Sequence, residues 1–129
     1  MEICGVNNLA FHLDGARLFN ALVAKQETPQ IYGEAFDTIS ICLSKGLGAP
    51  IGSLLLGTKE QIVKARRIRK VFGGGMRQAG IIAAGGLYAL KNNVKRLKDD
   101  HRHAKALEST LNGLTWVKEV VPADTNIVV

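Results

Sequence analysis

The chain has 129 residues, 47% of them hydrophobic and 22% charged, enough for one modest domain that buries roughly two-thirds of its extended surface. This composition excludes a low-complexity chain. No apolar run reaches membrane-spanning length, and Glu2 and the mixed segment after it do not read as a signal peptide. Two cysteines, Cys4 and Cys42, make no disulfide framework, so a reducing compartment is expected, the cytosol or the mitochondrial matrix. The net charge of +6 keeps nucleic acid open as a partner until the distribution of that charge is considered.

In chain order, residues 1–8 read as the tail of a helix or a loop entering a short strand, Leu9 to Leu13. That strand runs into His12-Leu-Asp14-Gly-Ala-Arg17. The sequence predicts a loop and then a short helical segment up to Lys25, with Leu18, Phe19, Leu22 and Val23 as its apolar contacts. Thr28 to Phe36, with Pro29 and Gly33, reads as a polar connection. Thr38 to Leu43 is a short β-branched apolar run, expected to be a buried strand with Cys42 as a small core residue, and residues 52–57 read as a third strand.

Thr58 offers an N-cap, and Gln61 completes a capping-box pattern for a helix over 59–72. Its apolar positions Ile62, Ala65, Ile68 and Phe72 fall near one face, while Arg66, Arg67, Arg69 and Lys70 lie mostly on the others. Aromatic residues for stacking bases are nearly absent there, so a solvated or subunit-facing helix is expected rather than a nucleic-acid surface. Gly73-Gly-Gly75 ends it. A second helix, 76–91, carries Gly80, Ala83, Ala84, Gly85 and Gly86, small residues suited to close packing. A third spans 94–112, with Leu97, Ala104, Leu107, Leu111 and Leu114 on one stripe and His101 close to it. His101 and His103 have no metal-ligand partner at a matching spacing and read as structural or surface residues. Residues 116–121 and 126–129 are expected to be two strands of a smaller α+β unit.

The stretch Ile41-Cys-Leu-Ser44-Lys45-Gly-Leu-Gly48 organises the rest. Ser44 and Lys45 follow the lysine strand at its carboxyl end, where open α/β sheets place their ligand crevices. Gly46, Gly48 and Pro50 keep the next segment out of a helix and allow close backbone approach. A lysine desolvated at such a place has a lowered pKa and a nucleophilic neutral amine, as Schiff-base chemistry requires. For a lone Ser-Lys-Gly, an ordinary solvated turn lysine is the plainer reading.

Three segments together change that balance. His12-Leu-Asp-Gly-Ala-Arg17, Leu43-Ser-Lys-Gly-Leu-Gly-Ala-Pro50 and Gly73-Gly-Gly-Met-Arg-Gln-Ala-Gly80 resemble, in order and spacing, the low-specificity L-threonine aldolases. That resemblance implies an α/β chain. Residues 1–92 would be part of the large pyridoxal-phosphate-binding domain of an aspartate-aminotransferase-like fold, and residues 93–129 the start of a small carboxyl-terminal α+β domain. It implies pyridoxal 5'-phosphate as cofactor, an amino-acid substrate and a homo-oligomer, tetrameric in the family, with no nucleic-acid or membrane partner. The implied reaction is retro-aldol cleavage of L-threonine or L-allo-threonine to glycine and acetaldehyde. A β-eliminating amino-acid lyase of the same fold is the alternative, and a basic helical nucleic-acid module the third reading.

The resemblance also implies roles. Lys45 attaches the cofactor, and Asp14 pairs with its pyridine nitrogen; without the motif, Asp14 would read as a turn or cap aspartate. Arg17 grips the substrate carboxylate, since guanidinium forks suit carboxylates, or else makes a surface ion pair. Arg77, after the glycine triplet at an expected helix start, suits a phosphate; with Lys70 it lines the cofactor pocket or its entrance. Ser44 is a cofactor-bonding or strand-end serine, and His12 orients the loop. The resemblance covers the whole chain but only the middle and later part of the family's length. A preceding half would carry the phosphate loop and a ring-stacking histidine, a following segment another carboxylate-binding arginine. The 129-residue piece alone is expected to be inactive.

Overall fold

The computed structural model describes residues 2–129. Three strands form one sheet in the order β1 (His12–Asp14), β2 (Thr38–Cys42), β3 (Ser53–Leu56). β1 pairs parallel with β2, His12 opposite Thr38 and Asp14 opposite Ser40; β3 returns antiparallel, with Cys42 opposite Ser53. The parallel pair sends the ends of β1 and β2 to the same edge of the sheet. Asp14 and Lys45 therefore lie on the same side.

Helix α1 (Glu2–Val6) precedes β1, and α2 (Leu18–Lys25) and α3 (Pro29–Ala35) form the crossover from β1 to β2. Residues 28–36 are thus not a mere connection. Thr28 is extended at the N-cap position and Pro29 opens the helix, where its fixed φ and missing N–H are tolerated. Along β2, Ile39 and Ile41 are buried while Thr38, Ser40 and Cys42 are half-buried. The two isoleucines pack with Leu18 and Leu22 of α2, flanked by Leu13, Phe19, Tyr32 and Phe36. Each such buried side chain stabilises the fold by about 1.5–3 kcal/mol. Cys4 and Cys42 are both free.

Beyond the sheet come α4 (Lys59–Val71), α5 (Gly80–Asn92) and α6 (Leu97–Asn112). The capping box forms as expected: Gln61 N–H donates to Thr58 Oγ1, and Thr58 N–H donates to Gln61 Oε1 at 2.7 Å. Yet α4 buries no residue; Ile62 and Ala65 are half-buried, and Ile68 and Phe72 are exposed. The small residues of α5 do permit close packing. A Cβ on Gly86 would lie 2.9 Å from Leu43 Cδ1, and one on Gly85 3.0 Å from Pro50 Cδ. That helix starts at Gly80 rather than at 76, because residues 77–79 form a turn in which Gln78 has φ 50°.

A second core cluster joins Leu43, Leu47, Ala49, Ala89 and Leu97, with Phe19, Val23, Leu90 and Val94 against it. It fastens α5, α6 and α2 to the loop after β2. On α6 the expected stripe is buried at Leu97 and Ala104 but exposed at Leu107. Residues 116–121 and 126–129 are not strands. A single backbone hydrogen bond, Val121 N–H to Val129 O at 2.8 Å, joins them, and a two-stranded unit of that size is marginal without a third partner.

Candidate active site

Lys45 lies three residues past β2, in a loop whose course is set by backbone bonds at both ends. Leu43 N–H donates to Gly52 O (2.9 Å), Ala49 N–H to Leu43 O (3.0 Å) and Gly48 N–H to Lys45 O (2.8 Å). Gly48 takes φ 71° and Gly52 φ 125°, conformations that disfavour any side chain. Leu47 and Ala49 turn inward and are buried, whereas Ser44 and Lys45 face out and are exposed. The expectation of a desolvated lysine is therefore not met in this chain: burial falls on the alternate residues of the loop.

The loop is held from behind by α5, α6 and the turn between them. Asn93 Nδ2 donates to Leu47 O at 2.7 Å, and Arg96 donates to Gly46 O at 3.3 Å while its guanidinium also pairs with Asp100 at 2.9 Å. Gly46 fits tightly: a Cβ there would meet Leu97 Cδ2 at 3.0 Å and Asn20 Oδ1 at 3.2 Å. Lys45 is thus displayed on a rigid support, and it has no ion-pair partner among the described residues.

Asp14 ends β1 and is exposed. Its Oδ1 accepts from Ala16 N–H at 3.3 Å and from Ser40 Oγ at 3.4 Å. Gly15 N–H donates to Ser40 O at 2.8 Å, and a Cβ at Gly15 would sit 2.8 Å from that same oxygen. The turn that follows Asp14 therefore tolerates only glycine at this approach. Arg17, exposed at the N-cap position of α2, has no acidic partner among the described residues. His12 does not orient this loop; its Nδ1 meets Thr38 Oγ1 at 2.8 Å, at the amino end of β2.

Lys70 and Arg77 lie on α4 and in the turn before α5. Lys70 is exposed in the last turn of α4, and a Cβ on Gly75 would meet its Nζ at 2.9 Å. Arg77 is exposed in the turn before α5, three residues short of the helix start. No hydrogen bond or ion pair links either to Asp14 or Lys45 among the described residues. Sequence reasoning missed Ser40, Asn20, Asn93 and Arg96. For Ser40 and Asn20 the available signal was a polar residue inside an otherwise apolar strand or helix; Asn93 and Arg96 lie in the turn between α5 and α6 and carried none.

A cavity of about 710 Å³ lies elsewhere. It runs between α2, α3 and the sheet, bordered by Leu22, Phe36, Asp37 and Thr38 at the opposite end of β2, and includes neither Asp14 nor Lys45. Among the described residues no helix is long and apolar enough to cross a membrane, and no cluster of His, Cys, Asp and Glu forms a metal site.

The chain as a whole is similar in fold and in sequence to known proteins. A putative aromatic amino acid beta-eliminating lyase/threonine aldolase from Exiguobacterium superposes with a TM-score of 0.87 at 28% identity, covering 98% of this chain and 36% of its own. A putative L-allo-threonine aldolase from Listeria monocytogenes gives 0.89 at 23% identity, a likeness of fold. In sequence, the chain is 50% identical over 126 residues to the low specificity L-threonine aldolase of Escherichia coli K12. It is 46% identical over 128 residues to a probable low-specificity L-threonine aldolase 2 of Arabidopsis thaliana. Each alignment takes in 98% of this chain, which spans 36–37% of the length of these relatives. The family model described as beta-eliminating lyase matches residues 1–129; the chain belongs to that family.

Proposed function

We propose that this chain is the lysine-bearing part of a pyridoxal-phosphate-dependent aldolase that cleaves L-threonine and L-allo-threonine to glycine and acetaldehyde. The observation that carries the reading is the placement of Asp14 and Lys45 at the same end of the sheet, one closing its strand and the other just past the end of the parallel neighbour. The donor set suits the cofactor: a primary amine without an ion-pair partner among the described residues, a carboxylate at the end of the neighbouring strand, and a guanidinium three residues further on. When bound, pyridoxal phosphate supplies the electron sink for breaking a bond at the substrate α-carbon.

Lys45 would hold the cofactor by its amine. Asp14 holds a proton on the pyridine nitrogen, because an adjacent carboxylate favours the charged ring. Arg17 binds the substrate carboxylate through a planar two-donor fork, and its place at the start of α2 ties it to the same turn as Asp14. Ser44 stands beside Lys45 to bond the cofactor, and Lys70 and Arg77 contribute positive charge at the entrance. The complete enzyme is a homo-oligomer.

Borohydride reduction in the presence of pyridoxal phosphate, followed by peptide mapping, tests the reading through the residue that carries the label. The family description favours a second reading, a β-eliminating lyase acting on another amino acid. Product analysis separates them in an enzyme of the relatives' full length: glycine and an aldehyde for the first, a 2-oxo acid and ammonia for the second.

A further inference from the structure

We infer that Asn20 is a positioning residue for Lys45, acting through Gly46 and held in turn by His101. Asn20 is 3% exposed, the one polar residue among the buried side chains of the described residues. Its neighbours on α2, Leu18 and Leu22, pack on the sheet, and Phe19 and Val23 pack on the second core cluster. Asparagine is a poor helix former, and a buried amide is costly unless bonded. An apolar residue would satisfy packing alone.

The amide meets two groups. On one side, Asn20 Nδ2 lies 3.2 Å from His101 Nε2, joining α2 to α6 across 81 residues of sequence. On the other, Oδ1 lies 3.2 Å and Nδ2 3.6 Å from where a Cβ on Gly46 would stand. The backbone beside Lys45 is therefore clamped between this amide and Leu97, which is fully buried. Helix α2 begins directly after the turn that carries Asp14 and Arg17. Asn20 thus transmits the position of that turn to the lysine loop, and His101 fixes the rotation of its amide.

This placement concerns the loop itself; its consequence for chemistry rests on the reading of Lys45 given above. The test is site-resolved hydrogen exchange on this chain, following the Gly48 and Ala49 amides, which bond to Lys45 O and Leu43 O. Asn20→Leu keeps bulk and burial but removes the amide, and should speed exchange at Gly48 and Ala49 about tenfold or more while the amides of β2 keep their protection. His101→Leu should do the same. His101→Gln, whose side chain can still bond the Asn20 amide, should restore protection. Unchanged exchange at Gly48 and Ala49 in both leucine variants overturns the inference. So does a uniform loss of protection across β2 and the loop, or failure of His101→Gln to rescue. Borohydride labelling of the unsubstituted chain is read separately. Label absent from Lys45 contradicts the cofactor assignment and leaves the exchange result standing.

Discussion

Ser40 Oγ lies 3.4 Å from Asp14 Oδ1, across the parallel pair in which these two residues face each other. With the Ala16 N–H at 3.3 Å, the serine fixes the direction of a carboxylate that is otherwise exposed. A residue of the lysine strand thereby aims the acid of its neighbour. The two motifs are joined in the sheet before any ligand binds.

Asp14→Asn keeps an oxygen for Ser40 and Ala16 and should leave the fold intact. What it removes is the negative charge. A nearby opposite charge shifts a pKa by ~1–3 units, each worth about 1.4 kcal/mol, and the loss falls mainly on the transition state, where electron withdrawal is needed most. In an enzyme of the relatives' length, kcat should fall about ten- to a thousandfold with a smaller effect on KM, while Lys45 still accepts the label. Steady-state kinetics check this; near-normal kcat would make Asp14 a turn residue.

Gly15→Ala and Gly46→Ala should both destabilise the chain, and the first more. The new methyl at 15 would stand 2.8 Å from the Ser40 backbone oxygen, which cannot move without breaking the β1–β2 edge. At 46 the obstacles are side-chain ends, Leu97 Cδ2 at 3.0 Å and Asn20 Oδ1 at 3.2 Å, which give more easily than a strand's backbone oxygen. Overpacking of this kind costs about 1–3 kcal/mol, and urea unfolding midpoints measure it. Equal stability of Gly15→Ala and the unsubstituted chain would contradict the turn geometry.

The elements whose identity depends on local chemistry were legible in the sequence. Thr58 and Gln61 announced the start of α4, and the short β-branched apolar run from Thr38 to Leu43 marked β2. The start of α3 was legible too, in Thr28-Pro29, but proline reads as a breaker until its position at a helix start is considered. Residues 116–129 carry an apolar pattern without becoming strands, because pairing is a property of partners rather than of the segment. The exposure of Lys45 belongs to the same class: whether an amine is desolvated depends on what lies over the loop, not on the loop's own residues. Asn20 and its contact with His101 escaped notice because their meeting spans 81 positions, and no periodicity connects them.

Glu108 carries a pH-dependent tether. Its carboxylate accepts from Ala123 N–H at 2.7 Å and pairs with Lys105 at 3.0 Å, and these contacts, the backbone bond first, hold its pKa below the ordinary 4.5. A depressed folded pKa gives a contribution that is fully present above 4.5 and lost as pH falls through the lower folded value. The Ala123 amide resonance should therefore shift on acidification below that range. Glu108→Gln, which still offers an oxygen to Ala123, should abolish the shift; a persistent transition would assign it elsewhere.

Helix α4 leaves Val63, Ile68, Val71 and Phe72 between 55% and 85% exposed, beside a row of arginines and lysines. Contiguous apolar surface of this kind drives association. The 129-residue chain should self-associate at micromolar concentration, and Ile68→Gln with Phe72→Ser should shift it toward monomer. Sedimentation velocity reads the outcome, and identical behaviour of the two chains would place the contact away from α4.

The central claim is that Lys45 is the lysine that attaches the cofactor. Mixing the chain with pyridoxal phosphate, reducing with borohydride and mapping the peptides measures this most directly, since the mass added by the reduced cofactor marks the residue. One dominant modified peptide is expected, carrying the label at Lys45, and it should disappear in Lys45→Ala without a compensating rise elsewhere. A label spread evenly over surface lysines, or concentrated on Lys59, Lys64 or Lys70, would contradict it.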